Sequence, residues 1–256
     1  MRSKLASFVL AGIASAAALP VLASPAMTTA VTHSPRVGAS LHRGGNLGWS
    51  SSNWSGYAIT GSGLSAATGS WVVPAVSASR KATYSSSWVG IDGFNNSSLI
   101  QTGTEQDYYN GSAHYDAWWE ILPAAETVIS SISVHPGDVF SASVTKGSGS
   151  SWTITITDNT TRASFTTTQT YTGPQTSAEW IQEAPTVGGR VAPLAHYGQT
   201  VFDPGTVNGA NPGLTAADGG VMVQKGVQVS TPSNPDGDTD GYNVAYGSTQ
   251  PSPPAS

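Results

Sequence analysis

The chain has 256 residues, only 10% of them charged, a formal net charge of −5 and no cysteine. The acidic balance argues against nucleic acid or an anionic membrane surface as partner, and the lack of Cys excludes a disulfide framework, thiol catalysis and thiolate metal sites. The length suits one large domain with an ample core, and Ser, Thr, Gly and aromatic residues in place of Lys and Glu favour strands over surface helices.

Arg2 and Lys4 precede an apolar run from Leu5 to Leu19, and Val21-Leu22-Ala23 before Ser24 has the small-residue pattern of a cleavage site. Residues 1–23 therefore read as a secretory signal peptide, too short for a comfortable membrane span, and secretion is expected. Its removal takes away Arg2 and Lys4 and moves the net charge from −5 to −7. Residues 24–52 mix Pro, Gly, Ser, His and Arg without period, as a flexible leader or propeptide would. The folded domain is expected over 53–247, with a disordered Pro/Ser tail over 248–256.

Within the domain, strands are predicted from Asn53 to Ile59 and from Ser70 to Val73, the latter stopped by Pro74. Ser86–Gly93 puts Val89 and Ile91 on one face and Trp88, Gly90 and Asp92 on the other; Leu99–Gly103 follows. In Ala113–Pro123, Tyr115, Ala117, Trp119 and Ile121 form a core set. The opposite face carries His114, Asp116, Trp118, Glu120 and Leu122, an indole between carboxylates that suits a ligand-facing cleft. Thr127–Val134, Asp138–Thr145 and Ser151–Thr157 alternate clearly, with Phe140, Ala142, Val144, Trp152, Ile154 and Ile156 inward, and Ala163–Tyr171 is another strand, rich in Thr. In Ser177–Glu183, Ala178 and Trp180 share one face, while Ser177, Glu179 and Ile181 share the other. Val191–Phe202, a loop over Asp203–Asp218, and short strands at Val221–Val223, Val227–Val229 and Tyr242–Tyr246 complete the chain. Evenly spaced short strands without helical period indicate an all-β, two-sheet antiparallel sandwich.

Four segments carry the chemistry: Trp88-Val89-Gly90-Ile91-Asp92-Gly93, Leu99-Ile100-Gln101-Thr102-Gly103, Tyr115-Asp116-Ala117-Trp118-Trp119-Glu120 and Ala178-Glu179-Trp180-Ile181. Their order and spacing resemble the glutamic peptidases, the eqolisin family of secreted acid endopeptidases, over roughly Asn53 to Tyr246. The resemblance implies a lectin-like jelly-roll sandwich that binds peptide on one face, and a catalytic dyad with Gln101 as the glutamine and Glu179 as the glutamate. It also implies that Trp54, Trp88, Asp92, Trp118 and Glu120 line or support the cleft, with Glu105 and Asp116 as further substrate-binding acids. Glu105 stands where the fungal pattern has Asp, and Leu122 where an aromatic is usual. With no Cys, the chain looks like a bacterial-type member. A monomer acting on protein or peptide substrates, without metal or cofactor, is expected.

The dyad makes chemical sense: metal-free peptide hydrolysis needs a base for water and a donor for the oxyanion. Carboxylates crowded on one water-poor face should have raised pKa values, which predicts activity in acid. The alternative is a carbohydrate-active or carbohydrate-binding sandwich, in which Trp platforms and paired carboxylates would serve sugars and Gln101 would have no part. His33, His42, His114, His135 and His196 are scattered, without zinc-type spacing, and read as surface or hydrogen-bonded residues. No nucleophile-elbow serine or paired Asp-Thr-Gly is present. Asp236, Asp238 and Asp240 before Gly241 resemble the start of a calcium loop, but Gly247 replaces its closing glutamate, and an acidic hairpin turn is the simpler reading.

Overall fold

Val, Ile, Thr and Trp placed at every second position favour pleated, half-buried strands. Among the described residues nearly all regular structure is of this kind. The computed structural model describes residues 30–39 and 46–256, so the expected signal peptide lies outside the described residues. The chain begins with β1 (Val31–Thr32), β2 (Trp49–Ser51), β3 (Trp54–Thr60), β4 (Ala66–Val72), β5 (Ser86–Ile91), β6 (Ile100–Tyr109) and β7 (Ser112–Ile121). It continues through β8 (Thr127–Val128), β9 (Val139–Lys146), β10 (Ser151–Asp158), β11 (Ser164–Thr170) and β12 (Ser177–Glu183). The last strands are β13 (Thr186–Val187), β14 (Arg190–Val191), β15 (Gln199–Val207), β16 (Gly219–Gln224), β17 (Val227–Pro232) and β18 (Tyr242–Tyr246). One 3-10 turn, Ala216–Asp218, is the only helical element among the described residues. None of these residues forms a helix long and apolar enough to cross a membrane.

Strand pairing follows the path β11-β10-β9-β4-β15-β18-β17-β16-β3-β12-β5-β6-β7-β8, antiparallel throughout, while β2 joins β16 in parallel. The path folds over itself into a sandwich: β4 packs on β5 and β12, β9 on β5 and β6, and β10 on β6. Between the layers lies the main core. Trp71, Phe140, Val144, Trp152, Ile154 and Ile156 come from one side, and Val89, Ile91, Ile100, Ala117, Ala178 and Trp180 from the other. Each buried Val, Ile or Phe among them contributes roughly 1.5–3 kcal/mol by leaving water. The inward set expected for the strands now numbered β9 and β10 is the set found.

A second cluster, of Trp49, Trp54, Ala58, Trp88, Leu99, Trp118 and Ile181, lies apart from the main core. Residues one position apart on β5 and β12 thus divide between two apolar clusters, which is why both strands are buried along their whole length.

Several boundaries differ from the sequence reading. β8 stops at Val128, although Ile129, Ile132 and Val134 are buried, so these residues are packed from turns rather than from a strand. β15 continues past Asp203 to Val207, because the register shift between Phe202 and Gly205 accommodates Pro204 without a ladder donor. Ordered structure also begins upstream of Asn53, with β2 paired to β16. The 248–256 tail lies against the domain. Its polar groups find partners: Asn243 Nδ2 donates to Ser252 O at 2.9 Å, Gln250 Nε2 to Pro232 O at 3.2 Å, and Gly237 N to Ser256 Oγ at 2.9 Å.

Trp180 joins the layers, its Nε1 donating to Thr68 O at 2.6 Å. A methyl on Gly69 would stand 2.7 Å from its ring, and one on Gly205 2.7 Å from its Nε1. Gly69→Ala and Gly205→Ala should therefore each cost about 1–3 kcal/mol and lower the thermal midpoint by a few degrees. An unchanged midpoint in both variants would show that the ring has room to move.

Candidate active site

The candidate residues share one face of five neighbouring strands. Pairing register sets Ala58, Glu179, Gly90, Gln101 and Glu120 side by side across β3, β12, β5, β6 and β7. The next row is Gly56, Ile181, Trp88, Gly103 and Trp118, and the third is Trp54, Glu183, Ser86, Glu105 and Asp116. Directly opposed residues point to the same face, and so do residues two apart on a strand.

Gly90 determines the shape of the first row. Neighbouring strands lie about 4.8 Å apart, so Glu179 and Gln101 flank a strand that carries no side chain between them. A methyl on Gly90 would come within 3.1 Å of Gln101 Cβ and 3.0 Å of the Trp88 ring. Gln101 Nε2 donates to Glu120 Oε2 at 2.8 Å. That bond leaves Gln101 Oε1 buried without a partner, as are both Glu179 oxygens, among the described residues. Burial pushes the Glu179 carboxyl well above the usual range, and the Asp92 charge adds to the rise.

The third row meets the leader. β1 pairs with β13 (Val31 with Val187, Thr32 with Thr186), and the chain then crosses the site. The His33 ring stacks on Trp118 with centroids 3.7 Å apart and planes 14° apart. His33 Nδ1 lies 3.0 Å from Glu183 Oε2, while Nε2 lies 3.1 Å from Glu105 Oε1 and 3.2 Å from Glu126 Oε2. Its backbone N donates to Glu120 Oε1 at 3.2 Å. Ser34 N donates to Glu183 Oε1 at 3.2 Å, Trp54 Nε1 donates to Ser34 O at 3.0 Å, and Arg36 N donates to Gly93 O at 3.0 Å.

Both ring nitrogens of His33 face carboxylates, which makes the imidazolium the form that satisfies them. Burial alone would lower the His33 pKa, but Glu183, Glu105 and Glu126 outweigh it and hold it well above the ordinary value. Burial lifts Glu105 to about 8 against the lowering pull of His33, and lifts Glu120 and Asp116 each to about 7. Asp107 is likewise pushed well above the usual range, by burial and then by the Glu105 charge. His33, Glu105 and Glu126 place one ligand atom each within 4.8 Å of the others. The ion pairs between them already account for that closeness.

The other expected residues take distinct places. Trp54 and Trp88 meet edge to face at 4.9 Å, and Trp88 Nε1 donates to Glu183 Oε2 at 2.8 Å. Trp118 is fully buried beneath His33, its Nε1 donating to Ser86 Oγ at 3.1 Å. Asp92 is fully buried. Its oxygens accept from Tyr171 Oη at 2.6 Å, Gln175 N at 2.9 Å, Thr176 N at 2.8 Å and Asn96 Nδ2 at 3.1 Å, so it anchors the loop entering β12. Asp116 keeps one buried oxygen without a partner among the described residues.

The sequence pattern of the peptidase A4 family matches residues 52–244. The chain belongs to the peptidase A4, or eqolisin, family. It is similar to aspergillopepsin-2 of Aspergillus niger, 30% identical over 216 residues that make up 74% of this chain and 76% of that protein. The crystal structure of scytalido-glutamic peptidase with a transition state analog inhibitor superposes with a TM-score of 0.65 at 26% identity, covering 76% of this chain and 98% of the other. A further eqolisin structure, in complex with the tripeptide Ala-Ile-His, superposes at 0.62 with 25% identity and covers 76% and 98% of the two chains. This eqolisin is accordingly a glutamic peptidase, a hydrolase, on a β-sandwich.

Three residues of the site were not singled out from the sequence. Glu183 stands two positions beyond Ile181 on β12, so extending the alternation by one step would have found it. His33 and Glu126 carry no local signal; only the tertiary fold joins the leader to the turn after β7.

These pKa directions fix how stability depends on pH. Between the ordinary carboxyl range near 4 and the folded values of about 7 to 8 for Glu105, Glu120 and Asp116, the folded chain holds protons that the unfolded chain has released. Stability therefore falls as pH rises through that window. His33 acts in the same sense, its contribution being present below its unfolded pKa and lost as pH passes the raised folded value. In the intact chain carrying Glu179→Gln to prevent self-cleavage, the thermal midpoint should drop by about 5 °C or more between pH 4.5 and pH 8. A midpoint that rises over this interval would contradict the assignment.

Proposed function

We propose that this eqolisin is a secreted, acid-acting, pepstatin-insensitive endopeptidase that uses Glu179 and Gln101 on water, and that residues 30–39 hold it latent. The observation that carries the dyad is the first row: three unpartnered acceptor oxygens, two from Glu179 and one from Gln101, flank the side-chain-free strand at Gly90. A water molecule, with two hydrogens to give, is their chemical complement. Glu179 takes a proton from that water as its oxygen attacks the peptide carbonyl. The Gln101 amide N–H stabilises the resulting oxyanion, and Glu179 returns the proton to the departing amine as the C–N bond breaks. Glu120 is a positioning residue, because its bond to Nε2 sets which way the Gln101 amide points.

Two structural neighbours hold peptide-type ligands, a peptide based transition state analog and a tripeptide. Extended peptide on the same face of this chain would meet Trp88, Trp118 and the carboxylates now engaged by the leader. His33 fills that place with ionic contacts to three carboxylates. Protonation of Glu105, whose carboxyl burial lifts to about 8, weakens its pair with His33.

Casein cleavage by leader-free enzyme should be confined to acid within about pH 2–7 and persist in pepstatin. Folded Glu179→Gln should lose about 10³-fold or more in kcat/KM, and folded Gln101→Ala about 10²–10³-fold. Retention of full rate by either variant would remove that residue from the mechanism.

For the leader, a synthetic peptide of residues 30–39 should inhibit the leader-free enzyme competitively. The same peptide with His33→Ala should inhibit at least about tenfold more weakly, a loss of about 1.4 kcal/mol. Equal inhibition by the two peptides would show that His33 is not the anchor.

A further inference from the structure

The chain carries a second group of carboxylates, far in sequence from the first three rows and serving none of the steps above. We propose that Asp203, Asp236 and Asp240 form a calcium site where β15 meets the loop before β18. One side-chain oxygen from each lies within 4.8 Å of the other two. That is the span an ion allows when each oxygen sits about 2.4 Å from it.

The decisive residue is Asp236, 6% exposed. Its Oδ1 accepts from Thr239 N at 2.9 Å, Asp240 N at 3.2 Å and Gly241 N at 3.2 Å, which fixes the carboxylate plane. Its Oδ2 is buried and has no partner among the described residues, and Asp240 Oδ1 is in the same condition. A methyl on Gly241 would stand 2.4 Å from Asp236 Oδ2 and 2.8 Å from the Asp203 carboxyl carbon. The orphaned oxygen and the Asp203 carboxylate therefore meet over a backbone that only glycine permits. A buried acceptor facing two further carboxylates requires a cation or shared protons. Among the described residues, no Lys or Arg forms an ion pair with any of the three.

The donor set selects the ion. All-oxygen, carboxylate-rich ligation without nitrogen or sulfur fits a hard cation and not zinc. Calcium accepts several carboxylates in irregular geometry, whereas magnesium keeps most of its water and uses one or two. The sequence pattern Asp236, Asp238, Asp240 pointed here, with one member misplaced. Asp238 is exposed, and Asp203 from β15 takes its place. Asp203 and Asp240 are held above the usual carboxyl range by burial, with the charges of Asp236 and Asp238 adding to the effect.

Calcium here would tie β15 to the start of β18, alongside the bond from Gly205 N to Asp240 O at 2.8 Å. Two residues beyond Asp240, Tyr242 donates through Oη to Trp180 O at 2.6 Å on β12, the strand that carries Glu179.

The test is calorimetric titration of the intact, chelator-treated chain with CaCl₂ near pH 7, paired with thermal midpoints in CaCl₂ and in EDTA. One ion per chain with Kd of about 10⁻⁴ M or tighter and a midpoint raised by several degrees are expected. Asp203→Asn should abolish both responses and Asp240→Asn weaken binding at least about tenfold. Each variant's midpoint in EDTA should equal or exceed that of the parent, since a repulsion has been removed. The proposal fails if the parent shows no saturable heat and no shift, if MgCl₂ gives an equal response, or if the calcium response survives in both variants.

Discussion

Pairing register across β3, β12, β5, β6 and β7 is the constraint on which the rest of the structure depends. It aligns Glu179, Gly90, Gln101 and Glu120 in one row and Glu183, Ser86, Glu105 and Asp116 in another. A slip of one residue on any of these strands would send its row into the main core and bring Val89 or Ile100 to the outer face. The core therefore enforces the site: Trp180, Ala178 and Ile91 hold the register from behind. Gly90 and Gly103 then leave room in front for the Gln101 side chain and for Trp88.

Electrostatics follow from that packing. The first and third rows bring five carboxyl groups to one face, and no Lys or Arg pairs with any of them among the described residues. The cation that enters is His33 of the leader. Raised carboxyl pKa values are the consequence of burying acids together, and a protein so built favours the protonated state that acid supplies.

Much of this was legible in the sequence because strand alternation is a strictly local signal. The two faces of Ser177–Glu183 and Ala113–Pro123, and the inward sets of β9 and β10, follow from a period of two. The motifs around Trp88, Gln101, Trp118 and Glu179 carried the family. What local pattern could not carry was contact between distant segments. The docking of His33 against Glu105, Glu126 and Glu183, the substitution of Asp203 for Asp238, and the packing of the tail each depend on partners far away in the chain. Asp92 is a further case: its motif position suggested lining or supporting the cleft, and its hydrogen bonds to Tyr171, Gln175 and Thr176 tie it to the loop before β12, a contact between segments about 80 residues apart that local pattern could not show. Pro204 marked a loop by its chemistry, yet a register shift lets β15 pass through it.

The central claim is that Glu179 acts on water rather than on the substrate itself. A single turnover by leader-free enzyme in heavy-oxygen water, followed by mass spectrometry of the product and of the peptide containing Glu179, tests it most directly. Water attack places the label in the new product carboxylate and none in Glu179. Label in the Glu179 side chain would mean that its carboxylate attacked the acyl carbon, and the row of unpartnered oxygens would need a different explanation.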